Sequence, residues 1–257
     1  MTVPSQTKTV GKTVDIVTDH GVIDAHLFRP DEAGSWPAVL LLTDIRGVRP
    51  AFEAMGRRLA ASGYVVLLPN IYYRAGRAPV VDPTLPINDE AARARRNELR
   101  ATLTPEVVRA DLAAQLDYLA RDSHVRGPQA GVVGYCLTGA FALRTAEDFP
   151  ERIAAAASFH GGGLASDAPD SPHLRVDRIK ARLYFGYADE DASMPPEMIG
   201  RLETALRKAG VPFRSDLYTG ARHGFAVEDG QAFDRAAAER HWHNLIDLFD
   251  SAFAKGA

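Results

Sequence analysis

The chain has 257 residues, enough for one large α/β domain or two small ones and for a substantial buried core. Hydrophobic residues make up 46% and charged residues 25%, and a formal net charge of -3 gives no electrostatic case for nucleic acid or an anionic membrane surface as a partner. One cysteine, Cys136, provides neither an internal disulfide nor a thiolate zinc site, so no metal is expected.

Residues 1 to about 12 read as a polar N-terminal arm free to be flexible. The segment from Met1 to Lys8 lacks the apolar stretch of a signal peptide, and no later run reaches bilayer-spanning length. A cytoplasmic location is therefore expected. Next come Thr13 to Val17 and Ile23 to Phe28, two strands of a hairpin turning at His20-Gly21. Ala38 to Leu42 is a continuous apolar run, as in a strand covered on both faces. Ala51 to Ala61 has the helical spacing of Phe52, Met55 and Leu59 and ends at Gly63. Tyr64 to Leu68 is a further buried strand, stopped by Pro69.

From about 74 to 103 the chain is irregular and then highly charged, with an exposed helix beginning around Asp89, and it is a candidate cover for a site. Thr104-Pro105-Glu106 starts a helix carrying Leu112, Leu116 and Leu119. Strands follow at Ala130 to Val133, Ile153 to Phe159, Leu183 to Tyr187 and Phe213 to Tyr218, with helices at Pro196 to Ala209 and Asp234 to Phe253 among them. Alternating strands and helices imply a mainly parallel central sheet with helices on both faces and an antiparallel N-terminal hairpin. With no repeat or linker, residues 1–257 read as a single domain.

Cys136 lies in Gly134-Tyr135-Cys136-Leu137-Thr138-Gly139, between the strand at Ala130 to Val133 and a helix-like stretch from Ala140. A strand turning sharply into a helix raises the turn residue above the sheet, and small neighbours let the two segments cross closely. A thiol there faces the positive end of the helix, which makes a sulfur more reactive than an ordinary buried one. A cysteine nucleophile needs a base and a group to orient it. Asp189 and Asp191 follow one strand and His223 the next, giving the order nucleophile, acid, histidine of the α/β-hydrolase sheet.

With Gly134-Tyr135-Cys136-Leu137, Asp191-Ala192-Ser193-Met194-Pro195 and Gly220-Ala221-Arg222-His223-Gly224-Phe225, the chain resembles the dienelactone hydrolase family, carboxymethylenebutenolidase-like members of the α/β-hydrolase superfamily, from about Val14 to Phe253. The resemblance implies Cys136 as nucleophile, His223 as base and Asp191 as orienter. Asp189 competes for the last role, but its spacing to Met194-Pro195 fits less well. In Thr43-Asp44-Ile45-Arg46 the resemblance gives Asp44 as an acid beside the thiol, where the family usually has glutamate. It gives the Ile45 and Leu137 N–H groups as oxyanion donors. Arg74, with Tyr72 beside it, matches the first of two arginines that hold the substrate carboxylate. The second falls at Val227, which weakens the case for a dienelactone unless Arg46 or Arg222 takes its place. Thr138 stands where the family has a glycine, which implies altered helix packing or a hydroxyl facing the pocket.

Other motifs carry less. His160-Gly161-Gly162-Gly163 has the letters of a lipase oxyanion loop but follows the nucleophile, so it reads as a glycine-rich turn at the pocket floor. His241 and His243 point to different faces of a helix and make a poor metal pair. Gly131, Gly134 and Gly139 do not form a dinucleotide fingerprint. The expectation is a hydrolase that cleaves an ester or lactone carbonyl of a small molecule through a thioester acyl-enzyme, with no cofactor, no nucleic-acid or membrane partner and an unassigned oligomeric state. The alternative is a redox-responsive or ligand-binding homologue whose Cys136 is modified rather than turned over, although no second cysteine exists to resolve a sulfenic acid.

Overall fold

A computed structural model describes residues 7–254. Eight strands form one sheet: β1 (Thr9–Thr18), β2 (Gly21–Pro30), β3 (Trp36–Leu41), β4 (Val65–Pro69), β5 (Val125–Tyr135), β6 (Ile153–Phe159), β7 (Arg182–Glu190) and β8 (Phe213–Arg222). Their spatial order is β1-β2-β4-β3-β5-β6-β7-β8. β2 pairs antiparallel with β1 and β4, and every later neighbour is parallel, as the alternation of strands and helices requires. Residues 1–6 of the expected polar arm lie outside the described residues. The remainder of that arm is shorter than expected, because Thr9 to Lys12 already pair with Leu27 to Pro30.

Among the described residues, six α-helices complete the fold: α1 (Pro50–Ala61), α2 (Glu90–Ala101), α3 (Pro105–Arg121), α4 (Leu137–Asp148), α5 (Pro196–Ala209) and α6 (Arg235–Phe253). The central strands are apolar throughout, so successive side chains feed opposite layers. Leu40 and Val132 join Leu112, Leu116, Leu143 and Leu202 of α3, α4 and α5 on one face. Val39, Leu41 and Val133 join Phe52 and Leu59 of α1 and Leu245 and Phe249 of α6 on the other. Burying a side chain of this size contributes about 1.5–3 kcal/mol, and these layers hold the sheet rigid beneath the loops at its C-terminal edge.

Local chemistry sets the helix ends. The Ala92 N–H donates to the Asp89 carboxylate at 2.8 Å, Thr104 caps α3 ahead of Pro105, and Gly210 closes α5 in the left-handed conformation at φ 68°. Among the strands that run further than their apolar cores suggested are β7 and β8. β7 reaches Glu190 and β8 reaches Arg222, because those two residues pair across the sheet and carry polar positions into the ladder. Among the described residues no helix is long and apolar enough to cross a membrane.

Candidate active site

Cys136 occupies the turn between β5 and α4 at φ 55°, ψ -116°. A β-carbon-bearing residue held there stores about 1–3 kcal/mol of strain, which the surrounding crossing must over-determine. Glycine makes that crossing possible. A Cβ on Gly134 would meet the Thr138 carbonyl oxygen at 2.0 Å, and one on Gly139 would meet the Gly161 Cα at 2.6 Å. Thr138 fits at its position because its hydroxyl stays out of the pocket. Its Oγ1 accepts the Tyr135 N–H at 2.9 Å and donates to the Tyr135 carbonyl at 3.2 Å, so the side chain ties the elbow to itself.

His223, directly after β8, meets Asp191, directly after β7, at 2.7 Å between Nδ1 and Oδ2. The Ser193 Oγ and N–H both donate to the Asp191 Oδ1, at 2.6 and 2.9 Å, which aims the other carboxylate oxygen at the imidazole. Burial alone favours the neutral ring, but the hydrogen bond to Asp191 and interaction with the Cys136 sulfur outweigh it and push the His223 pKa up to about 10. Burial would raise the Asp191 pKa, but its bonds to His223 and Ser193 prevail and hold it below the usual carboxylate range. Asp189 is used elsewhere: its Oδ2 accepts the Gly220 N–H at 2.7 Å.

In the loop after β3, Asp44 lines a cleft together with Cys136. Its carboxylate accepts the Arg46 N–H at 2.8 Å and a two-point fork from Arg49, both arms at 2.7 Å, rather than a bond from the thiol. The same guanidinium bonds Asp229 through Nε at 2.7 Å and Nη2 at 3.0 Å, and so joins the loop carrying Ile45 to the loop following His223. The Arg49 side chain is only 2% exposed. Desolvation opposes its charge, yet the two carboxylates raise its pKa above the ordinary arginine value. Tyr72 is buried and donates its hydroxyl to the Ile45 carbonyl at 3.0 Å, supporting this loop from behind. The Ile45 and Leu137 N–H groups donate to no other group among the described residues.

Arg74 is not brought to the site. It forks onto Asp111 at 2.7 and 2.8 Å and covers the Tyr73 ring, and it lines neither cleft beside Cys136. Val227 does line one of those clefts, together with Arg46 and Arg222. Arg46 is itself bonded to Asp229 and to the Pro83 carbonyl.

Four contributors were not assigned from the sequence. Arg49 and Asp229 lie 180 residues apart, and nothing local to either marks the pairing. Ser193 sits inside the acid-loop motif, where a hydroxyl two residues after an aspartate is a turn signal that gave it no role at the site. His160, expected in a pocket-floor turn, packs its ring edge-on against His223 with centroids 5.1 Å apart. It is 1% exposed at φ 38°, and burial first and the neighbouring His223 second keep its pKa well below the histidine range. An uncharged imidazole thus lies beside the charged one.

A strained cysteine elbow at the end of β5, with an acid and a histidine after β7 and β8, defines the α/β-hydrolase class. Comparison with known proteins narrows this. The dienelactone hydrolase family profile matches residues 23–253, and the chain belongs to that family. It is 30% identical over 236 residues to a carboxymethylenebutenolidase of Rhodococcus opacus, covering 90% of this chain and 88% of the relative. Two crystal structures share the fold. A dienelactone hydrolase-like promiscuous phosphotriesterase from metagenomic libraries superposes with a TM-score of 0.77 at 20% identity, covering 95% of this chain and 98% of the other. A dienelactone hydrolase from Anabaena variabilis gives 0.67 at 17% identity, covering 96% and 99%. The protein is a dienelactone hydrolase-like hydrolase.

Two outcomes follow from this geometry. Arg49→Met strands Asp44 and Asp229 as partly buried charges and should cost about 3–5 kcal/mol in chemical denaturation; an unchanged midpoint would show that the fork is dispensable. Gly134→Ala should yield little soluble protein or a sharply lowered Tm, since its new methyl group faces backbone rather than a side chain able to swing away.

Proposed function

We propose that the protein hydrolyses a carboxylic ester or lactone through Cys136, His223 and Asp191 by way of a thioester acyl-enzyme. The observation that carries this reading is the 2.7 Å contact of Asp191 with the His223 Nδ1, which leaves the Nε2 side of the ring for chemistry beside the elbow sulfur. Both Cys136 and His223 line the same clefts. A triad is recognised by this arrangement of roles rather than by sequence position.

His223 takes the thiol proton of Cys136 to give a thiolate–imidazolium pair, and the Sγ then attacks the carbonyl carbon as the carbonyl π pair moves onto oxygen. The Ile45 and Leu137 N–H groups receive that oxyanion, and each such donor is worth about 3–4 kcal/mol in the transition state. His223, protonated in that pair, gives its proton to the leaving oxygen as the C–O bond breaks, which frees the alcohol and leaves the acyl group on sulfur. The now neutral imidazole takes a proton from water, the hydroxide oxygen attacks the thioester carbonyl, and collapse expels the sulfur and releases the acid. Asp191 holds the ring in the tautomer that both steps need. A thioester is more easily hydrolysed than an amide, so activated esters and lactones suit the nucleophile better than peptides do. The hydrolase acts on a small molecule, as the size of the clefts and the name of the Rhodococcus opacus relative support.

Cys136→Ala should lower hydrolysis of p-nitrophenyl acetate by about 10⁴-fold or more, and full turnover in that variant would refute the assignment. The pH profile has a defined sign. Because the folded His223 pKa is raised, the charged form and the stability it contributes are complete below the unfolded value near 6.5 and are lost as pH rises through about 10. The acylation rate should therefore fall on its alkaline side near pH 10, and Asp191→Asn should move that limb to lower pH while slowing turnover by roughly 10⁴-fold. An alkaline limb that stays in place in the Asp191 variant would remove the carboxylate from this role.

A further inference from the structure

Cys136 does not sit at the blind end of a pocket. Two clefts, of about 600 and 640 Å³, run away from it on different sides, and Ile45, Cys136 and His223 belong to the walls of both. The first passes beneath the loop at residues 83–87 and over Val227. The second passes between α3, α4 and α5, where Val108, Phe141 and Met198 line it. At the roughly 30 Å³ that one water occupies in the liquid, each cleft holds on the order of twenty non-hydrogen atoms.

The apolar lining of both clefts reaches toward solvent. Leu85 and Ile87 are 36% and 40% exposed on the loop that roofs the first cleft, while Phe141 and Met198 are half-buried in the second. Large apolar side chains left uncovered beside a reactive centre mark a surface that an apolar ligand covers. Of the charged residues nearby, Arg46 is engaged with Asp229 and the Pro83 carbonyl and Arg144 with Asp170, while Glu190 and Arg222 line the first cleft and are exposed. Exposed Arg100 lines the second cleft as well.

Tetrahedral geometry connects these clefts to substrate shape. Once sulfur and the oxyanion occupy two positions around the attacked carbon, its acyl chain and its alkoxy group must leave in two further directions. A small lactone ties those two groups into one ring and fills at most one cleft. Resting on the assignment of Cys136 as nucleophile, we infer that the preferred substrates are open-chain esters with an apolar group on each side of the scissile carbonyl. One group is seated against Leu85, Ile87 and Val227 and the other against Val108, Phe141 and Met198.

The test is a matrix of four esters, with acetyl or butanoyl on one side and methyl or butyl on the other, followed by acid release in a pH-stat. Each buried methylene should raise kcat/KM by about fourfold, so each extension should bring a gain of tenfold or more, and the gains should multiply in butyl butanoate. The Leu85→Ser/Ile87→Ser double variant should erase the gain of one arm only, and Phe141→Ala that of the other arm only. Met198→Trp, which fills the second cleft instead of emptying it, should reverse the same gain that Phe141→Ala erases. Comparing long with short esters within each variant separates specificity from any loss of folded protein. The inference is overturned if either extension brings no gain, or if the loop and Phe141 variants affect the same arm. Failure of the underlying reading looks different, since Cys136→Ala would then still hydrolyse all four esters.

Discussion

The site depends most on the Arg49 guanidinium, which is buried between the carboxylates of Asp44 and Asp229. Two loops that leave different strands would otherwise be free to drift apart: one carries the Ile45 amide, and the other continues from His223. A planar five-donor fork fixes distance and angle together, which a single point charge on a flexible stem does not. Two acids around one base leave a net negative charge, and the exposed side of Asp229 keeps part of that charge in water, where desolvation costs less. Asp44, the expected neighbour of the thiol, thus acts on the geometry of the loop. Its shorter side chain suits the Arg49 fork.

Strain and electrostatics converge at the elbow. Cys136 holds a conformation uncommon for a residue with a Cβ, and the crossing of Gly134 beneath α4 and of Gly139 against Gly161 leaves it no relaxed alternative. The sulfur then stands beside an imidazole whose charge Asp191 stabilises. Ser193 removes any freedom in Asp191 by donating twice to one oxygen, and the neutral ring of His160 packs the His223 ring from the side. A second cation at His160 would oppose the charge on His223, and deep burial keeps that ring neutral. The proposed chemistry draws on this preorganisation, since donors and rings already in place need no reorganisation when charge develops.

The residues implied by resemblance were redistributed by their surroundings. Tyr72 supports the Ile45 loop by bonding its carbonyl, and Arg74 pairs with Asp111, 37 residues away on α3. The position expected for a second arginine holds Val227, whose apolar side chain belongs to one of the two clefts at Cys136. Family membership and hydrolase class are therefore compatible with a pocket chemistry of this chain's own.

Much of this protein is decided by order along the chain. Continuous apolar runs fix which segments lie inside the sheet, capping residues such as Asp89 and Thr104 fix where helices begin, and the succession Cys136, Asp191, His223 puts a thiol, a carboxylate and an imidazole at one edge of a parallel sheet. These are local signals, set by a period of two or 3.6 residues or by a turn of a few. Tertiary structure brought Asp191, which its motif spacing had favoured over Asp189, to His223, and turned Asp189, two residues earlier, to the Gly220 N–H. It also decided the Arg49 fork, the packing of His160 and the diversion of Arg74 to Asp111. Each of these needs two side chains far apart in sequence to meet at hydrogen-bond or van der Waals distance, and such encounters leave no periodic trace in the order of residues.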